Sequence, residues 1–323
     1  MQVRRILVAA TTALMDLTSA HAQEAWPARP ITYVVPFGAG GTTDVLARLV
    51  APQAGSTLGT SFVVENKPGA GGGLGTTYVA KARPDGYTIV GGTISSHAIN
   101  VSLYSKLAYD PVKDFQPVAM IGSIPNILVV RADSPFKTVQ DVIAAAKAKP
   151  GTINYASSGN GTSQHLSGVF FEQMTGTRLS HIPYKGSAES LTALIGGQGA
   201  DLIFENLPSA LPYIKSGRLR AIAVTTAKRA STLPEVPAIA ETLPGFDVMS
   251  WQAIFAPAGV PKPIADKLAG ALAKSILHPD MKAKLLSMGV EPTAMTAAEL
   301  ATFQKAEVGK WAKVIKTANI KLD

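Results

Sequence analysis

The sequence predicts an α/β protein built in two domains. Three observations carry this. The chain has 323 residues, about twice a typical single domain. Short apolar runs alternate with segments of helical period. One design, a strand that runs through a glycine- and hydroxyl-rich loop into a helix, occurs twice, about 120 residues apart.

The elements follow in order. Ile31-Thr32-Tyr33-Val34-Val35 reads as a strand, and residues 43–54 as a helix with Val45, Leu46, Leu49 and Val50 on one face. Residues 62–65 form a second strand, then a glycine-rich turn leads to a helix over 75–82. Residues 87–90 make a third strand, extended by Gly91-Gly92. Ile127-Leu128-Val129-Val130 opens a second series. There a helix over 139–148, stopped by Pro150-Gly151, precedes the strand 153–156. Residues 163–174 are helical, with Leu166, Val169, Phe170 and Met174 on one face. Strands at 179–182, 202–204 and 221–224 follow, then amphipathic helices over 264–277 and 297–317. In the last helix Leu300, Phe303, Trp311 and Val314 recur at core spacing.

The repeated unit carries the functional signal. The first copy is Pro36-Phe37-Gly38-Ala39-Gly40-Gly41-Thr42-Thr43-Asp44; the second is Ser157-Ser158-Gly159-Asn160-Gly161-Thr162-Ser163-Gln164-His165. Glycine lets a backbone approach a ligand closely. First-turn amides lack intrahelical partners, and the helix dipole favours negative charge there. Two such loops in different halves of the chain suggest two anion receptors facing each other.

Composition narrows the classes. With 46% hydrophobic and 16% charged residues the chain is globular. It has no cysteine, which excludes disulfides, thiol catalysis and thiolate metal sites. The net charge is +8, but Lys and Arg are scattered, with pairs such as Lys228-Arg229 and no stripe for nucleic acid. Met1-Gln2-Val3-Arg4-Arg5, the apolar stretch 6–15 and Ala20-His21-Ala22 before Gln23 form the pattern of a secretory signal peptide over residues 1–22. Asp16 interrupts that pattern, and the apolar run is too short to span a bilayer. Removing the segment leaves a charge of +7, and the expected location is a bacterial periplasm. Neither glycine cluster is G-x-G-x-x-G, and the Gly309-Lys310 dipeptide continues with Trp311, not the Ser or Thr of a P-loop. Gly161-Thr162-Ser163-Gln164-His165 begins like a nucleophile elbow but ends in His where Gly is required. His97, His165, His181 and His278 have no metal-ligand spacing, so neither a cofactor nor a metal is expected.

Residues 30–44, with Pro36-Phe37-Gly38-Ala39-Gly40-Gly41 at their centre, resemble the opening of the Bug family. These proteins are the extracytoplasmic solute receptors of tripartite tricarboxylate transporters. The likeness continues through Glu65-Asn66-Lys67-Pro68-Gly69-Ala70-Gly71-Gly72, Pro84-Asp85-Gly86-Tyr87-Thr88, Pro183-Tyr184-Lys185-Gly186, Leu207-Pro208-Ser209-Ala210-Leu211-Pro212 and Ala256-Pro257-Ala258-Gly259-Val260-Pro261. The resemblance implies a two-lobed fold of the periplasmic binding protein type, a type II-like Venus flytrap with a ligand cleft between the lobes. Residues 27–125 with 248–323 would form lobe 1, and 126–247 lobe 2.

It also implies a site. In the family a ligand carboxylate is held between the loops that here are 37–44 and 157–164. By that analogy Phe37 packs on the ligand or within its loop, while Ala39, Gly40 and Gly41 offer backbone. Ser158 and Asn160 stand in the second loop, and Gln164 at its end. Thr42, Thr162 and Ser163 offer hydroxyls or cap their helices. Asp44 repels an anion, so it is a first-turn residue that orients its surroundings, or one that binds an amino group. Ser95, Ser96 and His97, past the third strand, reach the distal end of the ligand, or His97 is structural. Glu205 and Asn206 end another strand; the family often has Asp where Glu205 stands. Lys185 attracts the ligand at long range or is merely solvated. Trp251 and Gln252 lie near a hinge crossing, with core packing favoured for Trp251. The expected role is a monomeric receptor that passes a small organic carboxylate, an aromatic or aliphatic dicarboxylate included, to an integral membrane permease. Two alternatives stay open: a periplasmic serine hydrolase using Ser163 with His97 or His165, and a receptor serving a signalling partner.

Overall fold

The computed structural model describes residues 26–317 and residue 320, so the candidate signal peptide lies outside the described residues. The first half of the chain runs β1 (Ile31–Val35), α1 (Thr42–Leu58), β2 (Phe62–Asn66), α2 (Gly73–Ala80), β3 (Thr88–Thr93), a π-helical turn (Ser95–Ile99), α3 (Asn100–Leu103) and β4 (Phe115–Arg131). It continues with α4 (Val139–Ala148), β5 (Asn154–Ser157), α5 (Ser163–Thr175), β6 (Ser180–Pro183), α6 (Ser187–Ile195), β7 (Leu202–Asn206), α7 (Leu207–Lys215) and β8 (Leu219–Val224). The remainder is β9 (Met249–Pro257), α8 (Lys262–Leu277), α9 (Pro279–Ser287), β10 (Glu291–Pro292) and α10 (Ala297–Thr317).

The strands join one mixed sheet in the order β2-β1-β3-β9-β4-β7-β5-β6, with β8 and β10 also paired to β4. β4 is the shared element. Its first part, Phe115 to Pro125, lies antiparallel to β9, and its second part, from Asn126 onward, lies antiparallel to β7 and β8. The sheet therefore has two sections. In each, the inner strands β1, β3 and β7 are buried apolar runs covered by helices, and the edge strands β2 and β6 are partly exposed. α1 and α8 pack on the first section around Leu46, Val50, Leu268 and Leu272. α6 and α7 pack on the second around Leu191, Leu194, Ala210 and Leu211.

Helices 139–148 and 297–317 fall where the periodicity predicts them. Thr138 caps the first of these in a reciprocal capping box with Asp141. Periodicity predicts none of α7, α9 and β10, and other elements differ in detail. α1 extends to Leu58 through Pro52, and its buried face is Leu46, Ala47, Val50, Ala51 and Ala54, leaving Val45 exposed. The strand series opened at Ile127 is the end of a 17-residue strand, whose earlier part contains Pro117, Pro125 and two register shifts. Proline and bulges break the alternation from which a strand is read. β9, whose buried run includes Ser250 and Gln252, also lacks that alternation.

Candidate ligand-binding site

Both sections end their parallel strands at the same place, and a small cavity lies there. The loop after β1 contributes Phe37, Gly41, Thr42 and Thr43; β3 and its π-helical turn contribute Thr93 and Ser95. The loop after β5 and the first turn of α5 contribute Ser158, Ser163 and Gln164. Ser187 begins α6, Asn206 precedes α7, and Ser250 and Gln252 come from β9. Thr93 pairs with Gln252 across the β3–β9 ladder, which sets two lining side chains in adjacent strands.

Four helices, α1, α5, α6 and α7, begin at this cavity. Each N-terminus carries roughly half a positive charge. The lining holds no Lys, Arg, Asp or Glu. An anion here would be held by backbone and neutral hydrogen-bond donors, the arrangement that helix N-termini favour.

The first loop leaves its helix uncapped. Gly41 is the N-cap of α1 and supplies no side-chain bond to the first-turn amides. Asp44 folds back and accepts from Gly40 N (3.0 Å), Arg48 Nε (3.0 Å) and Asn66 Nδ2 (2.9 Å). Burial pushes its carboxyl up, but those bonds and the Arg48 charge outweigh burial and hold it below the usual range. Thr43 Oγ1 donates to Gln252 Oε1 (3.0 Å), so the Gln252 amide nitrogen keeps both hydrogens.

The second loop has its groups satisfied by protein partners. Thr162 Oγ1 accepts from His165 N (3.4 Å) and donates to Gly159 O (2.7 Å). Ser163 N reaches across to Ser95 Oγ (3.1 Å). Behind this wall lies Glu205, fully buried. Its Oε1 accepts from Ser187 Oγ (2.8 Å), Asn206 N (2.8 Å) and Gln164 Nε2 (3.2 Å). Burial pushes the Glu205 carboxyl above its ordinary range despite these bonds.

The two sections touch around the cavity. Thr42 Oγ1 and Ser209 Oγ are 2.7 Å apart, and Tyr104 OH donates to Asn160 O (3.2 Å). Backbones also meet directly. A Cβ on Gly186 would lie 3.1 Å from Gly38 N, and one on Gly71 would collide with the Asn160 carbonyl. Outside this seam a mouth, lined by Phe37, Ser158, Tyr104, Tyr184 and the exposed Lys185 among others, shares Phe37 and Ser158 with the cavity.

Of the residues expected at the site, Phe37, Gly41, Thr42, Ser95, Ser158, Ser163, Gln164 and Asn206 line the cavity. The others stand elsewhere. Ala39 and Gly40 face solvent, and Asn160 lies at the mouth. Asp44 braces its loop, Thr162 caps α5, and Glu205 sits one layer behind the wall. Ser96 turns inward, its Oγ 2.9 Å from His97 Nδ1. His97 is core: its ring stacks on Phe255 (4.0 Å) and meets Phe115 edge-on (4.8 Å), and burial lowers its pKa to about 3. The reason is the π-helical turn, which rotates residues 96 and 97 away from the crevice that Ser95 faces. Trp251 is core, packed on Phe303 and donating to Glu307 Oε2 (3.1 Å). Thr43, Thr93, Ser187 and Ser250 line the cavity without having been singled out; the rule of strand C-terminal ends reaches Thr93 and Ser187, but Ser250 needs β9. Among the described residues no hydrogen bond joins Ser163 to an imidazole. Its Oγ donates to Gln164 Oε1 (3.4 Å), and His165 Nδ1 accepts from Gly161 N.

Comparison with known proteins agrees with this geometry. Residues 46–320 match the family described as tripartite tricarboxylate transporter family receptor. The R. palustris protein Rpa4515, solved with adipate, is 40% identical, with a TM-score of 0.89 covering 92% of this chain and all of that one. The periplasmic binding protein BugD is 36% identical, with a TM-score of 0.88 and coverage of 92% and 100%. MatC (Rpa3494) from Rhodopseudomonas palustris, solved with bound malate, is 33% identical, with a TM-score of 0.86 and coverage of 90% and 100%. With its mixed sheet, its cavity at converging helix N-termini and a family match over most of its length, this chain has the periplasmic binding protein fold and belongs to the tripartite tricarboxylate transporter receptor family.

Proposed function

We propose that this protein captures a small organic carboxylate in the interlobe cavity and presents it, without chemistry, to a membrane permease. The observation that carries the reading is the convergence of four helix N-termini on a cavity with no charged side chain. Relatives solved with adipate and malate support it. In this reading lobe 1 is residues 27–125 with 248–323, lobe 2 is 126–247, and the chain crossings between them act as the hinge. The change of partners along β4 at Pro125 and Asn126 supports that division. Residues 1–22 direct export and are removed, and the receptor works as a monomer in the periplasm.

Closure is driven by contacts that only the closed form makes. A charge-assisted hydrogen bond contributes roughly 1.5–3 kcal/mol. Four or five supply the ~8 kcal/mol of micromolar binding after part is lost to ordering. Ser163 is buried and its Oγ donates to Gln164 Oε1 rather than to an imidazole, which argues against a serine hydrolase.

The test is a thermal-shift screen of residues 23–323 against aliphatic and aromatic acids and their amides. The expected result is a clear rise in melting temperature with an acid and none with its amide. No shift with any acid, together with hydrolysis of a generic ester that Ser163→Ala abolishes, overturns the reading.

A further inference from the structure

The hydrogens of the cavity wall can be assigned from Glu205 outward. Glu205 Oε1 accepts three donors, so it carries no proton itself; a proton on the neutral acid sits on Oε2, which has no partner. The assignment therefore holds for either charge state. The Ser187 hydrogen is committed to Glu205. Ser158 Oγ, 3.0 Å from Ser187 Oγ, must then donate to it. Gln164 Nε2 gives one hydrogen to Glu205 and the other to Ser158 Oγ (3.0 Å). No hydrogen remains on these three side chains for a ligand. They offer lone pairs instead, chiefly on Gln164 Oε1, whose one bond is the long contact from Ser163.

The opposite wall has the reverse polarity. The Gln252 amide keeps both hydrogens because its oxygen is taken by Thr43. Ser95 Oγ accepts from Ser163 N and keeps its own hydrogen. The first-turn amides of α1 have no side-chain cap. The Gln252 and Ser95 side chains donate and the Gln164, Ser158 and Ser187 side chains accept, while the uncapped starts of α6 and α7 still present amides.

We propose that Glu205 is a specificity-determining residue, which makes the cavity selective for carboxylates that also carry a hydroxyl or amino group. The carboxylate lies against Gln252, Ser95 and the start of α1. The hydroxyl or amino hydrogen is given to Gln164 Oε1. A bare carboxylate set against Gln164 Oε1 meets an acceptor and gains no hydrogen bond there. This proposal rests on the carboxylate reading of the same cavity.

The test is calorimetric titration of residues 23–323 with two matched series: propionate, lactate and alanine, and succinate, malate and aspartate. The expected result is that, in the better-bound series, the hydroxy or amino acid binds at least tenfold tighter than its unsubstituted parent. Glu205→Ala releases the hydrogens of Gln164 and Ser187, and the ratio falls toward one. Ser187→Ala is a milder variant, which frees the Ser158 hydrogen and lowers the ratio in the same direction. A parent acid that binds as tightly as its substituted forms in the wild type, or a ratio unchanged in both variants, overturns the proposal while leaving a carboxylate receptor in place. Absence of binding by every acid, including those of the thermal-shift screen, overturns the carboxylate reading itself.

Discussion

The loops at 36–44 and 157–165 share a design and differ in use. Both carry glycines and hydroxyls from a strand end to a helix start. The first leaves its helix N-terminus bare, with Gly41 as a side-chain-free cap and Asp44 bracing the loop from behind. The second has its helix start occupied, with Thr162 as cap and Ser163 N committed to Ser95 of the facing section. A local pattern that announces an anion receptor therefore leads to one bare helix start and one whose groups are already bonded. The difference comes from partners distant in sequence: Gln252 for the first loop, Glu205 for the second.

The comparison can be broken most completely by keeping the loops apart. Gly71 has φ +56° and its Cα faces the Asn160 carbonyl, so Gly71→Ala blocks the approach of the second loop and adds about 1–2 kcal/mol of left-handed strain. The expected result is a more than hundredfold loss of affinity by calorimetry, with no ligand-induced compaction in small-angle scattering. Normal compaction would show that the Gly71–Asn160 contact does not govern closure.

Removing the donor beside the first loop comes next. Gln252→Leu deletes the free amide and leaves Thr43 Oγ1 without its acceptor. Affinity should fall about 10- to 100-fold, the equivalent of roughly 1.5–3 kcal/mol for a bond to a charged group. An affinity within twofold of wild type would remove Gln252 from the donor wall.

Exchanging the caps sharpens the contrast. Thr162→Ala should lower stability by about 1 kcal/mol in chemical denaturation and change affinity little. Gly41→Ser should weaken binding several-fold without loss of stability, because its hydroxyl occupies first-turn amides and its Cβ meets only ordinary contacts at 3.5–3.6 Å. Equal effects on affinity would mean that the two loops are equivalent after all.

The smallest effect is acid sensitivity of the second loop. His165 and His181 stack at 4.2 Å; His165 Nδ1 accepts from Gly161 N, and Ser157 Oγ lies 2.7 Å from His181 Nε2. Burial, with His181 nearby, lowers the His165 pKa to about 3, and burial lowers that of His181 to about 4. Unfolding raises both pKa values toward 6.5, so the unfolded chain binds more protons. The stability from neutral imidazoles is full above pH 6.5 and is lost as pH falls from there through about 4 to 3. Denaturation midpoints in the His165→Gln, His181→Gln double variant should depend less on pH across that window; an unchanged slope would refute the link.

Much of this was legible in the sequence. The strand–loop–helix units, the helices 139–148 and 297–317 and eight lining residues followed from periodicity, glycine placement and family resemblance. His97 was misleading because position after a strand end cannot reveal a π-helical turn. Ser250 was invisible because β9, buried on nearly every residue, shows no alternation, and Gln252 is aimed at the cavity by its register with Thr93.

The sequence by itself determined that this chain has an α/β fold with two glycine-rich helix starts, because local backbone propensity and apolar period are written residue by residue. Only the tertiary structure decided which hydroxyls and amides give hydrogens and which receive them. A hydroxyl can turn either way, and its direction is chosen by a neighbour that the fold brings from far along the chain, as Glu205 does for Gln164 and Ser187.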